Sequence, residues 1–308
     1  MEYIDSLKSS ISYRPITSAI IGLFVLKYLV SFLRRPKSLK DEVVFITGGA
    51  SGIGRQMSLQ FAKQGAKVIV ADIAEKPAKV VAYEIKSSGG QALGLHCDVT
   101  SIESVKAAAE AAKKAFGPIT ILINNAGIVS GKLITDLSYE AIERTFKVNA
   151  ISHFYTIKEF LPSMLEQNKG HIVTIASVAG LGGVSKMTDY CASKYAAVGI
   201  DDSLRNELKY LNSNVKTTCV CPYYINTGMF KGVTTRFNFL FPMLTEQWVA
   251  GRIIKAVKYN EEVLLMPKTM NSATYLKAFL PISWTDYLSK TLGFQESMSS
   301  FQGRHAGK

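Results

Sequence analysis

Tyr190 and Lys194 stand four residues apart in Tyr190-Cys191-Ala192-Ser193-Lys194. On a helix that spacing puts both side chains on one face. A free phenol has a pKa of about 10 and is a poor base at neutral pH. A nearby ammonium favours the phenolate, and the pair can then take a proton from a hydroxyl or return it. Ser177 closes the apolar run His171–Ser177, and a hydroxyl at a strand end can hold a substrate oxygen beside such a phenol. A Tyr and a Lys at this spacing are, taken alone, ordinary helix-surface residues. Removing a hydroxyl proton achieves chemistry only if something also accepts electrons from the carbon, so the rest of the chain must supply a cofactor loop.

That loop lies upstream, in Thr47-Gly48-Gly49-Ala50-Ser51-Gly52-Ile53-Gly54, between an apolar run and a helical pattern. Glycines there permit a tight turn and a close approach of backbone to a pyrophosphate. The N–H groups and dipole at the start of the following helix favour the anion. The next apolar run ends at Asp72, about twenty residues on, where a carboxylate would accept the hydroxyls of an adenosine ribose and repel a 2′-phosphate. Lys76 is the nearest basic residue, so NAD is expected in preference to NADP.

The elements that would position these groups alternate along the chain. Glu42–Thr47, Lys67–Asp72, Ala92–Val99, Ile119–Asn125, His171–Ser177, Val215–Cys221 and Glu262–Pro267 are short and rich in Val and Ile, as suits parallel strands covered on both faces. Helical patterns between them include Ile53–Gln64, Ile102–Phe116, Ser138–Gln167, Tyr190–Leu211 and Thr245–Tyr259. The expected fold is α/β, a doubly wound parallel sheet of Rossmann type with right-handed crossovers. It forms a single domain preceded by a membrane-anchor helix. The boundaries are an anchor and basic linker at 1–40, a catalytic domain at 41–268 and a C-terminal extension at 269–308.

The formal net charge is +12, with basic residues spread along the chain and no nucleic-acid motif, so a lipid surface suits that charge better than nucleic acid. Cys97, Cys191, Cys219 and Cys221 match no zinc spacing and read as buried reduced thiols; no metal is expected. Ile16–Leu33 carries one charge, Lys27, and at 1.5 Å per residue can just cross a hydrocarbon core of roughly 30 Å. Arg34, Arg35, Lys37 and Lys40 follow it, against Lys8 and Arg14 before it, which places the globular part in the cytosol. A full span and a helix lying in one leaflet both fit this stretch.

The T-G-x-x-x-G-x-G spacing resembles that of the short-chain dehydrogenase/reductase family, and further matches follow in that family's order. Asp98-Val99 resembles the pair that holds adenine, and Asn124-Asn125-Ala126-Gly127 resembles the NNAG motif after the fourth strand. Asn149 falls at the place of the active-site asparagine, Ser177 ends the fifth strand, and Tyr190 to Lys194 reproduces Y-x-x-x-K. The resemblance covers about Asp41 to Pro267. It implies a catalytic set of Asn149, Ser177, Tyr190 and Lys194, with Lys194 also on the nicotinamide ribose and Asn149 supporting a proton relay. It further implies a cofactor site of Gly48, Ser51, Gly52, Ile53, Gly54, Asp72, Asp98, Val99, Asn125, Ala126, Gly127, Tyr190, Lys194, Ile225 and Thr227. A homodimer through the helices after strands four and five is implied as well. One departure stands out: where the family reads P-G, this chain reads Pro222-Tyr223-Tyr224, which predicts an altered turn near the nicotinamide with binding retained.

Beyond Thr227, Met229-Phe230 and Phe237–Leu244 are apolar and aromatic, and read both as a lid and as a wall for a lipophilic alcohol or carbonyl. Tyr275–Phe294 is a second oily stretch, expected to be interfacial or packed on the domain. An anchor before such a core resembles the microsomal and lipid-droplet branch of the family, which includes retinol and 17-beta-hydroxysteroid dehydrogenases. That branch implies an endoplasmic reticulum or lipid-droplet surface and NAD-dependent oxidation of a retinol-like alcohol. The alternatives are a hydroxysteroid dehydrogenase, a lipid carbonyl reductase, or a lipid-droplet scaffold that merely retains the fold.

Overall fold

Every strand of the sheet is parallel, and each is short enough to be covered on both faces. They are β1 (Val43–Thr47), β2 (Lys67–Asp72), β3 (Gln91–His96), β4 (Ile121–Asn124), β5 (His171–Ile175), β6 (Lys216–Pro222) and β7 (Val263–Met266), in the order β3-β2-β1-β4-β5-β6-β7. All seven expected strands form, with ends shifted by a few residues. The computed structural model describes residues 35–303 together with Ser18 and Gly22. Apart from those two residues, the expected anchor Ile16–Leu33 lies outside the described residues. The chain divides into two compact units, Met1–Lys37 and Ser38–Lys308, and everything below concerns the second.

Nine helices are labelled among the described residues: α1 (Gly52–Lys63), α2 (Glu75–Ser87), α3 (Ile102–Phe116), α4 (Tyr139–Phe146), α5 (Ser152–Glu166), α6 (Thr188–Tyr210), α7 (Glu246–Tyr259), α8 (Thr269–Phe279) and α9 (Ile282–Thr291). Local chemistry starts several of them. The hydroxyls of Ser101, Ser138 and Thr245 accept the backbone N–H of Ser104, Ala141 and Trp248, satisfying groups that the first helical turn leaves orphaned. The sheet is a buried sandwich filling: Val44, Phe45, Ile46, Val68, Ile69 and Val70 are wholly buried, and Phe45 packs on Phe160 of α5 with ring centroids 4.8 Å apart. All four cysteines are free and buried, and the sulfurs of Cys219 and Cys221 lie 3.8 Å apart on β6.

The expected helix Ser138–Gln167 is interrupted. A single π turn, Lys147–Ile151, joins α4 to α5. Such a turn inserts one residue into the helical repeat and redirects the side chains in it; Asn149 is consequently turned inward and wholly buried.

One turn further on, α5 carries His153 into the core, with both ring nitrogens lacking a protein partner. Burial, assisted by the charge of Lys194, pushes its pKa down from 6.5 to about 3. A base with a depressed folded pKa contributes stability that is complete above pH 6.5 and is lost as the pH falls through 3. Stability is therefore expected to fall by roughly 3 kcal/mol from pH 6.5 to pH 4 through this one group. His153→Leu should remove that part of the slope in denaturant titrations; an unchanged slope contradicts the assignment.

Beyond β7 the extension folds back as α8 and α9, split at Leu280-Pro281. Their outer faces expose Tyr275, Phe279, Ile282, Trp284 and Tyr287. Among the described residues no helix is long and apolar enough to cross a membrane. One face of the oily stretch packs on the domain and the other is bare.

Candidate active site

The strand order reverses between β1 and β4, and the cleft beyond their carboxyl ends opens into a cavity of about 560 Å³. Its first wall is the loop from β1 to α1. Gly48, at φ +63°, holds a left-handed conformation that side chains disfavour. The loop is bolted from below by the segment after β4. Thr47 Oγ1 accepts the N–H groups of Asn125 at 2.9 Å and Ala126 at 3.0 Å. Asn125 Nδ2 in turn donates to the carbonyls of Thr47 at 2.9 Å and Gly48 at 3.1 Å.

Gly48, Ser51, Gly52 and Ile53 line the cavity, and so do Asn125, Ala126 and Gly127. Gly54 does not. It lies beneath the loop, where a Cβ would stand 2.1 Å from the Gly48 carbonyl oxygen. The spacing predicts a cofactor contact at Gly54, and its position also makes it the residue that lets helix and loop touch. No acidic residue stands in the first turn of α1, so its N-terminal dipole is left free to favour an anion. A pyrophosphate fits this cradle.

Asp72 ends β2 at the cavity wall, nearly buried. Its Oδ2 accepts the N–H of Ala50 at 3.1 Å and its Oδ1 that of Ala74 at 3.0 Å. The carboxylate thus shapes its own loop while each oxygen keeps a lone pair for a ribose hydroxyl. Asp98 and Val99 line the next stretch of wall, with Asp98 Oδ1 held by Thr100 N–H at 2.9 Å. Ile225 and Thr227 line the far side beyond β6, and Thr227 Oγ1 accepts the N–H of Met229 at 3.2 Å.

Tyr190, Lys194 and Ser177 meet where these walls converge. Lys194 is buried, and its Nζ donates to the Ile175 carbonyl at 2.7 Å while lying 5.7 Å from the centre of the Tyr190 ring. Burial pushes the Tyr190 phenol above its ordinary value, and the Ser177 hydroxyl beside it pulls the other way. Burial also brings the Lys194 ammonium down to about 8, partly offset by Cys221 and Cys219. Ser177 Oγ accepts the N–H of Ala179 at 3.1 Å and lies 3.4 Å from the Pro222 carbonyl, which fixes it at the end of β5.

Asn149 stands behind the wall rather than in it. Its Oδ1 accepts the N–H of Ile128 at 2.8 Å, and its Nδ2 donates to the Ile128 carbonyl at 2.9 Å and to Ser193 Oγ at 3.0 Å. Ser193 Oγ donates to the Tyr190 carbonyl at 2.7 Å. The π turn thereby ties the loop after β4 to the helix that carries Tyr190. A second tie stands next to the phenol: Asp189 Oδ2 accepts from Ser130 at 2.7 Å and Thr145 at 2.9 Å.

The substrate side was only partly visible from sequence. Tyr223, in place of the expected glycine, is buried with its ring 4.8 Å from Tyr224, 6.0 Å from Phe241 and 6.1 Å from Phe294. It fills the space between β6 and the C-terminal extension, while Ile225 and Thr227 still reach the cavity. Met187, Tyr224, Met229, Phe230, Leu280 and Leu288 make an apolar wall running from Tyr190 to α8 and α9. Tyr224, Arg144 and Ser297 line the cavity with no motif to announce them.

A family model described as short chain dehydrogenase matches residues 42–237. Short-chain dehydrogenase/reductase family 16C member 6 of Bos taurus is 41% identical over 292 residues, which is 92% of this chain and 92% of the relative. This chain belongs to the short-chain dehydrogenase/reductase family. It is an oxidoreductase of that family, and its fold and site take a nicotinamide cofactor. Epidermal retinol dehydrogenase 2 of Homo sapiens is 38% identical over 91% of this chain and 92% of its own length. A short-chain dehydrogenase/reductase from Burkholderia phymatum, solved in complex with NAD, superposes with a TM-score of 0.72 at 28% identity. The superposition covers 79% of this chain and 94% of that one.

Proposed function

We propose that this short-chain dehydrogenase oxidises a lipophilic, retinol-like alcohol to its carbonyl with NAD, at the surface of the endoplasmic reticulum or of a lipid droplet. The observation that carries the reading is the continuity of one cavity, from the phosphate loop past Tyr190 and Ser177 to an apolar wall of aromatic and aliphatic side chains. When bound, the oxidised nicotinamide supplies a hydride acceptor and a positive ring.

This chain's own residues do the rest. Ser177 holds the substrate oxygen within reach of Tyr190. Burial by itself works against the phenolate, so Tyr190 depends on the cationic Lys194 at its side to act as the base. Tyr190 takes the hydroxyl proton as hydride leaves the carbon, and Lys194, braced on the Ile175 carbonyl, holds the ribose side. Asn149 keeps the loop and helix in register so that these groups meet.

Asp72 supports NAD over NADP, since a 2′-phosphate would approach a nearly buried carboxylate. Asp72→Ala is expected to narrow the preference for NAD by at least about tenfold in kcat/KM; unchanged selectivity counts against this role for Asp72. The retinoid in the name of a relative and the apolar wall both support a lipid alcohol. The bare aromatic face of α8 and α9, with Trp284 and Tyr287, supports a lipid surface, as does the apolar stretch Ile16–Leu33. Full-length protein in vesicles, given retinol, estradiol or long-chain alcohols with NAD or NADP, should turn over a lipophilic alcohol with NAD and leave ethanol untouched. Failure across the whole panel, with Tyr190→Phe neutral in cells, would favour the scaffold alternative.

A further inference from the structure

The chain does not end at the extension's helices: after α9 it returns across the site. Thr234 N–H donates to the Ser297 carbonyl at 3.2 Å, and Gln302 N–H donates to the Lys231 carbonyl at 2.9 Å. The Phe301 ring lies so close over Gly131 that a Cβ there would stand 2.1 Å from it. The returning tail is thus clamped to the loop after β6 and to the loop after β4. Ser297 and Met298 are buried beneath it.

Ser297 meets Tyr224, the residue beside the family's missing glycine. Their oxygens lie 3.0 Å apart, and geometry alone leaves the donor open. The neighbours decide it. Ser297 Oγ lies 2.8 Å from the Phe294 carbonyl, which only accepts, so the single hydroxyl hydrogen of Ser297 goes there. Tyr224 must then be the donor to Ser297. Its other neighbour, Met187 Sδ at 3.7 Å, is also only an acceptor. Among the described residues, then, Tyr224 Oη receives no hydrogen bond, while both Tyr224 and Ser297 line the cavity. A hydroxyl oxygen that receives no hydrogen bond, on a residue lining the cavity, gains from a ligand that donates to it. The position is near the reacting centre: one ring, Phe230, lies between Tyr224 at 5.3 Å and Tyr190 at 6.1 Å.

We infer that Tyr224, oriented by Ser297 of the C-terminal tail, is a specificity-determining acceptor for a second hydroxyl on the substrate. The favoured ligand is then a lipophilic diol, one hydroxyl at Tyr190 and the other at Tyr224. This rests on the reading of the cavity as a site for a lipophilic alcohol. It does not rest on turnover. Burial keeps the Tyr224 phenol protonated, with its pKa up at about 12, so its role as donor to Ser297 and acceptor from the ligand holds throughout the physiological range.

The test is equilibrium binding to the full-length, detergent-solubilised protein saturated with NADH. The probes are 1-dodecanol and a series of dodecanediols with increasing separation between hydroxyls. At the matching separation the diol is expected to bind about tenfold more tightly than 1-dodecanol, the worth of one hydrogen bond in a dry site. Tyr224→Phe keeps the ring and should bring that ratio to about one. Ser297→Ala frees the Tyr224 hydrogen to turn into the cavity. It should shift preference from the diol toward its monomethyl ether, which offers an acceptor instead. A purely structural Tyr224–Ser297 pair would leave both ratios where they were. Equal binding of 1-dodecanol and every diol, or a diol preference that survives Tyr224→Phe, overturns the inference. A diol preference without turnover would instead remove the hydride-transfer reading and leave this one standing.

Discussion

Tyr190→Phe should lower kcat for a lipophilic alcohol by about 10²–10⁴-fold, the usual worth of a positioned acid/base, with cofactor affinity and thermal stability nearly unchanged. The substitution removes one oxygen from a buried ring and leaves its edge-on contact with Phe230, at 6.1 Å, in place. The Lys194 ammonium keeps its bond to the Ile175 carbonyl, so the floor of the site is undisturbed. What disappears is the phenol proposed to exchange a proton with the substrate oxygen while Lys194 stabilises its anion. Single-turnover kinetics with pre-bound NAD would separate the chemical step from binding. Turnover retained within a few-fold of wild type would mean that the proton goes elsewhere.

Gly54→Ala should be nearly as damaging by a different route. Its Cβ would lie 2.1 Å from the Gly48 carbonyl oxygen and 2.7 Å from Asn125 Nδ2. The first of these is backbone and cannot swing away. The loop must therefore lift off the Asn125 clamp, and the cradle for the pyrophosphate opens with it. NADH affinity, followed by fluorescence, is expected to fall by at least about a hundredfold, the loss of two or more charge-assisted contacts, together with a lowered melting temperature. Gly199→Ala on α6, where a Cβ meets nothing within 4 Å, is the control and should be neutral or mildly stabilising. Equal behaviour of the two variants would remove the packing role assigned to Gly54.

The contrast between those glycines shows what the amino-acid pattern carries and what it withholds. The strands are legible because Val- and Ile-rich runs between helical patterns are local signals. Tyr190, Lys194 and Ser177 are legible because one helix face and one strand end suffice to bring them together. The packing role of Gly54 is hidden, because the spacing of a glycine loop does not say which glycine faces the ligand and which lies beneath it. The π turn at Lys147–Ile151 is hidden, since one extra residue in a helix leaves the apolar periodicity of Ser138–Gln167 intact. Asn149 consequently sits behind the cavity wall, where spacing alone would not put it. Tyr224, Ser297 and Phe301 were out of reach for another reason. They matter through contacts across more than seventy residues, between segments with no pattern in common.

The same limit applies to the extension. Composition marks Tyr275–Phe294 as oily, but only the folded chain shows which side chains, Leu280 and Leu288 among them, turn to the cavity and which, Phe279 and Trp284 among them, turn outward. The inner face completes the apolar wall of the cavity, and the outer face is what the proposed lipid surface would cover.

The central claim is that hydride passes from a lipophilic alcohol's carbon to NAD beside Tyr190. Its most direct test incubates the full-length protein in vesicles with NAD and all-trans-retinol deuterated at its carbinol carbon, with the dodecanediols and estradiol, each likewise deuterated at its carbinol carbons, in parallel. The account predicts one deuterium at C4 of the reduced nicotinamide for every carbonyl formed, with the rate of transfer lowered by at least about a hundredfold in Tyr190→Phe. Carbonyl formation without deuterium in the nicotinamide, or no transfer from any of these alcohols, would contradict it.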